Sequence, residues 1–187
     1  MPPTAKRSLL IIGGLLAVMW GVELLDWIGG RWLELDQLGI VPRRLSGLLG
    51  IPLAPFLHAG WQHLAANSLP LAILGLLVIG RGERTFWAVS AGIVVLGGLA
   101  VWLLGRGQTV HVGASGVIFG YFGYLVALGV LERSVTSVLR AILVGLFYGS
   151  IIWGVLPNQR GISWEGHLFG LLAGIAMAYL ARRGPGV

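Results

Sequence analysis

The chain has 187 residues, of which 56% are hydrophobic and only 11% charged, with a mean hydropathy of +0.86 and no cysteine. A soluble domain carries about 25% charged residues, so an ordinary water-soluble globule is excluded, and disulfide and thiolate chemistry go with the missing cysteines. The net charge of +6 falls between apolar blocks as a topology signal rather than along a face that would bind nucleic acid.

Six apolar blocks follow one another at 8–28, 59–80, 85–105, 115–131, 137–154 and 164–181. A span needs about 20 residues. Hydrocarbon offers no partner to backbone N–H and C=O groups, so each block is predicted to be a helix. Barrel strands would alternate polar and apolar residues, and these blocks do not. The first block has full length and no small-residue cleavage site after a short apolar core, so it reads as an uncleaved first span. The segment 29–57 is a long outer loop, still rich in Leu, Ile and Trp, which suits the interfacial zone of a bilayer; its Pro42, Pro52 and Pro55 break any long helix. Trp27, Trp32, Trp61, Trp153 and Trp164 fall near the predicted outer ends, as anchors of an interfacial belt. With both termini on one side, that side carries eight Lys and Arg, against five, Arg160 among them, on the other. The basic excess predicts cytoplasmic termini. The whole chain, 1–187, reads as one domain with no soluble appendage.

The fourth block is the shortest, about 17 residues or 25 Å of helix. Gly116 and Gly120 lie four apart in it, as do Gly166, Gly170 and Gly174 in the sixth. Small residues at that spacing let membrane helices approach closely. These two blocks are therefore predicted to touch.

Polar side chains inside a bilayer are costly and demand a reason. His58, His63 and Asn67 open the second block, Ser115 opens the fourth, His167 opens the sixth, and His111 lies just before the fourth. All fall in the outer half. Ser115 at a helix N-terminus brings its own backbone N–H and the positive dipole end toward its hydroxyl. His167, on a helix held close by glycines, is placed to take the serine proton as general base. His63 and Asn67, four apart on one face, can both donate to a developing oxyanion. The set reads as nucleophile, base and oxyanion hole. Glu165 is about 200° around the helix from His167, so no acid of that span completes a triad, and only Glu23 or Asp26 of the first span remains to reach in. A Ser–His dyad is the economical expectation.

Other motifs fail on spacing. The hydrolase elbow G-x-S-x-G needs glycine where Val117 stands. No H-E-x-x-H occurs, and metal binding by three histidines would lack carboxylate or thiolate support; no metal and no cofactor is expected. A proton-relaying transporter would need polar residues along the whole path, and the cytoplasmic halves hold almost none.

HAGWQHLAAN (58–67), GASG (113–116) and GHLFGLLAG (166–174), in that order and on the second, fourth and sixth spans, resemble the rhomboid family of intramembrane serine proteases. The run PRRLSGLLGIPLAPFLH (42–58) is similar to the segment before the second span in many bacterial members. The resemblance covers essentially the whole chain and implies an all-α, polytopic, six-helix bundle. It implies Ser115 as nucleophile and His167 as general base, with His63, Asn67 and the Ser115 amide as oxyanion hole. Gly113 and Gly116 fall in the G-x-S-G turn and His58 matches the first histidine of the second-span motif. Phe119 falls where the family often carries an aromatic against the histidine. The implied partners are the lipid bilayer and single-pass membrane proteins, cut near the outer membrane edge, with no nucleic acid, and the implied location is a bacterial plasma membrane. The alternative is a catalytically silent rhomboid-like scaffold that binds membrane-protein clients.

Overall fold

The structure is a computed structural model, and it describes residues 3–157 and 163–183. Arg160, counted above among the outer charges, lies outside the described residues. Among the described residues seven α-helices follow in order: α1 Ala5–Gly29, α2 Ser46–Leu53, α3 Trp61–Ile79, α4 Glu83–Leu104, α5 Ser115–Glu132, α6 Val135–Tyr148 and α7 Trp164–Arg183. No strand occurs among the described residues; Ile40 and His111 form an isolated antiparallel bridge. The architecture is all-α. Four helices, α1, α3, α4 and α5, and the stretch Val135–Val155 are long and apolar enough to cross a membrane. The sixth expected span forms α7, about 30 Å long, yet it falls outside that group. Glu165 and His167 near its start and Arg182 and Arg183 at its end dilute its hydropathy, and its apolar requirement is relaxed because neighbouring helices cover it.

The fifth expected span does not stay α-helical to 154. It runs as α6 to Tyr148 and continues as a 3-10 helix over Gly149–Val155. An apolar run dictates length, whereas pitch near a helix end is set by local packing, and 3-10 turns are frequent at such ends.

Helix α5 is the axis of the bundle. Every residue from Val117 to Leu125 is buried, so over that stretch no face of it meets lipid, the pattern of a helix enclosed by others. Its contact with α7 is made of glycine. A Cβ on Gly170 would collide with the Gly116 carbonyl, and one on Gly174 with the Gly120 carbonyl. Gly120 also leaves room for Ile93 of α4, whose Cγ2 lies 2.5 Å from where a Cβ would stand. At one end of the bundle, Arg7 pairs with Glu83 and Arg81 with Glu132, which also accepts from Ser137. This basic end gathers the starts of α1, α4 and α6.

The opposite end gathers the starts of α3, α5 and α7. There the 29–57 segment is pinned to α4: Arg43 donates to the carbonyls of Leu103 and Gly105, and the Trp102 indole donates to the Arg44 carbonyl. Cations suit the unpaired carbonyls of a helix C-terminus. Leu45, Leu49 and Leu53, one turn apart along α2 and its N-cap, are exposed. Pro52 sits inside this short helix, which continues as a 3-10 turn over Ala54–Phe56.

Candidate active site

Ser115 is the first residue of α5. The turn before it depends on Gly113, whose φ of +111° lies where side chains are disfavoured. A Cβ there would also stand 2.6 Å from His63 Cε1 and 2.8 Å from His63 Nε2. The turn is held from the other side: Gly113 N–H donates to the Ala54 carbonyl (2.8 Å) and Ala114 N–H to His58 Nε2 (3.4 Å). His58 thus supports the serine turn through the backbone. Accepting at Nε2 fixes its proton on Nδ1. Burial, reinforced by the neighbouring His63, lowers the His58 pKa to about 4. It is neutral.

Ser115 Oγ lies 2.9 Å from His167 Nε2. The other ring nitrogen, Nδ1, is 2.8 Å from the Gly154 carbonyl. A carbonyl only accepts, so Nδ1 carries the proton and Nε2 presents a lone pair to the serine hydroxyl. Phe119, one turn after Ser115, stacks on the imidazole with centroids 4.2 Å apart and planes 7° apart. The histidine ring is held by face and by edge. Close approach at Gly116, where a Cβ would be 3.3 Å from the Gly166 carbonyl, brings the two helix starts together.

His63 and Asn67 share one face of α3 and line the same cavity as Ser115 and His167. Ala59 N–H approaches His63 Nδ1 (3.4 Å), which leaves the His63 proton on Nε2, the nitrogen beside Gly113. Asn67 is buried, and its Nδ2 has no partner among the described residues. An unpaired buried donor is rare and demands an explanation. The cavity measures about 610 Å³, with Ile151 and Phe119 on its walls. A narrower one of about 60 Å³ adjoins Ser115 on the side of Ile51 and Gly97. No group of three His, Cys, Asp or Glu among the described residues is arranged to hold a metal ion.

Three other polar residues of this end, weighed in the sequence, are engaged away from the dyad. Glu165, 2% exposed, pairs with Arg106 at 2.6 Å, so it points away from His167. Asp26 accepts from Leu35 N–H at 2.6 Å. His111 joins three segments: its backbone pairs both ways with Ile40, Nε2 meets Thr109 Oγ1 (2.9 Å) and Nδ1 meets Ser163 Oγ (2.6 Å). Thr109 already donates its proton to the Arg106 carbonyl, so His111 Nε2 donates and its Nδ1 accepts from Ser163. Burial lowers the His111 pKa; Glu165 opposes that and Arg106 adds to it. Ser163 in turn accepts from Gly166 N–H at the start of α7. The chain Ile40–His111–Ser163 thus fastens the outer segment to the helix that carries His167.

Helices that cross a bilayer around a partly buried Ser–His pair define a polytopic integral membrane protein with a polar site at one end. Residues 46–184 match the rhomboid domain, and the chain belongs to the rhomboid family. An uncharacterized protein of Mycobacterium tuberculosis is 40% identical over 190 residues, covering 95% of this chain and 78% of its own. A Bacillus subtilis protein provisionally named a rhomboid protease is 30% identical over 126 residues, 66% of this chain and 62% of its own. Rhomboid-like protein 11, chloroplastic, of Arabidopsis thaliana is 29% identical over 146 residues, 71% and 52% respectively.

Proposed function

We propose that this protein is an intramembrane serine endopeptidase working through a Ser115–His167 dyad. The observation that carries the reading is the 2.9 Å contact between Ser115 Oγ and a His167 Nε2 whose proton is held on the opposite nitrogen. As Ser115 Oγ attacks the scissile carbonyl, its proton passes to Nε2. The carbonyl oxygen becomes an oxyanion, received by the Ser115 backbone N–H, His63 Nε2–H and the unpartnered Asn67 amide. The imidazolium then gives its proton to the leaving amine, and water repeats the sequence on the acyl-enzyme. His58, Gly113 and Gly116 shape the turn, and Phe119 holds the imidazole plane.

The basic end of the bundle suits the cytoplasm, so the site faces outward, with both termini inside and the protein in a bacterial plasma membrane. Substrates are single-pass membrane proteins cut near the outer membrane edge by one domain spanning 1–187. The test is labelling by a fluorescent fluorophosphonate in mild detergent. Wild type is expected to label, and Ser115→Ala and His167→Ala to lose the label. A folded wild type that neither labels nor cleaves a single-span test substrate would favour the client-binding scaffold instead.

A further inference from the structure

Among the described residues His167 has no acid beside Nδ1; what it has is a main-chain carbonyl, and that carbonyl comes from a different span. Gly154 lies in the 3-10 turn Gly149–Val155, at the end of the helical stretch that begins at Val135. The last carbonyls of a helix have no intrahelical donor and carry the negative end of its dipole. Gly154 O is therefore free to accept from an imidazole, and it favours the imidazolium formed when the serine proton arrives. Glycine is needed at this contact. A Cβ at 154 would stand 3.0 Å from His167 Nδ1 and 2.9 Å from Phe119 Cζ.

The span that supplies this carbonyl is loosely embedded. Only Ser137 and Val144 of α6 are buried, and none of the 3-10 turn is. Leu143, Leu146 and Phe147 face outward. Its polar attachment is at the basic end, where Ser137 bonds Glu132 and Ala141 fills the gap left by Gly129, while toward the site end the half-buried Tyr148 and Ile151 pack on the core. Toward the site end, Gly145 and Gly149 have open space around them.

We propose that the Gly154 carbonyl is the positioning group for His167, so that the dyad is oriented only while the outer end of the Val135–Val155 span is seated against α7. This rests on the reading of Ser115 and His167 as nucleophile and base. Gly154 acts through His167 and touches no substrate. Lifting the turn removes the acceptor from Nδ1–H, and the ring is free to rotate or change tautomer. Displacement of this span and activation of the serine thus exclude one another.

The test replaces Val155 by its α-hydroxy analogue, which converts the 154–155 amide to an ester and weakens the carbonyl as acceptor without adding an atom. Gly154→Ala is the second variant, and Gly149→Ala, in open space on the same turn, is the control. Two quantities are measured in detergent: the fluorophosphonate labelling rate, and the ¹⁵N signals of His167, assigned by their loss in His167→Ala. The ester is expected to slow labelling about tenfold, the scale of one ordinary hydrogen bond, and to shift or mix the Nδ1–H signal, with Gly149→Ala unchanged in both. Slower labelling with an unchanged His167 spectrum means a merely structural role and overturns the proposal, as does a changed spectrum with wild-type labelling. If wild type labels and His167→Ala does not, while the ester matches wild type, this inference falls and the Ser–His reading stands. If wild type never labels, both fall.

Discussion

Asn67 Nδ2 is buried with no acceptor among the described residues, a state that costs stability unless an acceptor arrives during the reaction. Asn67→Ala is therefore expected to lower kcat of test-substrate cleavage about 100- to 1000-fold, the usual loss for one oxyanion donor, with KM little changed and thermal stability kept or raised. An equal fall in thermal stability and kcat would assign Asn67 to the scaffold. His58 and Asp36 give the fold a pH dependence of opposite signs. The folded-state value of His58, about 4, lies below the ordinary 6.5, so protonation favours the unfolded chain. Stability is whole above about pH 6.5 and falls as pH drops toward about 4. Asp36 is raised from 3.8 to about 6 by burial first and by Asp26 second; its contribution is present below pH 3.8 and lost as pH rises through about 6. Melting curves in detergent across pH 4–7 should show His58→Gln flattening the acid limb and Asp36→Asn flattening the other. Ser115, His63, Asn67 and His167 stood out in the sequence because polar side chains in hydrocarbon need a reason. Gly154 did not, because its contribution is a carbonyl that every residue owns. Glu165 reads on the sixth span as pointing away from His167, but its partner Arg106, far away in the chain, cannot be read from spacing.

Among the elements, α5 and α7 depend on each other most. Gly174→Ala would drive a Cβ into the Gly120 carbonyl, and forced overpacking of this kind costs about 1–3 kcal/mol. Thermal unfolding in detergent should show that loss, and fluorophosphonate labelling should slow as His167 moves with its helix. The glycine spacing makes this contact legible in the sequence, since 3.6 residues per turn places positions four apart on one face. The end of the fifth span was not legible in the same way. An uninterrupted apolar run marks a crossing, but nothing in GSIIWGV separates α from 3-10 turns; the tertiary contacts of Gly154 and Ile151 are what the turn accommodates. The start of α7 was expected as a full span and is helical from Trp164, yet its polar first turn serves the site and lowers its hydropathy.

For the whole molecule, the basic end and the site end lie on opposite faces of the bundle, and the absence of cysteine makes their orientation directly measurable. Single cysteines at exposed positions, Gln37→Cys near the site and Arg84→Cys at the basic end, should react oppositely with a membrane-impermeant maleimide in intact cells. Gln37→Cys is expected to label and Arg84→Cys to label only after lysis; the reverse pattern would invert the proposed topology. Hydropathy and loop charges carried the fold class, because a bilayer constrains length and backbone satisfaction so strongly. Which helix is innermost was written only faintly, in the shortness and glycine content of 115–131.

The α5–α7 seam has a consequence for how such a chain can drift. At an ordinary side-chain contact, growth on one side is compensated by shrinkage on the other, so partners covary. Here Gly116 faces Gly170 and Gly120 faces Gly174, and the atoms in contact are carbonyl oxygens. Neither partner has anything left to give up. Enlargement at Gly170 or Gly174 has no second-site remedy across the seam, and a suppressor screen on Gly170→Ala should return revertants or distant stabilisers but no change at Gly116.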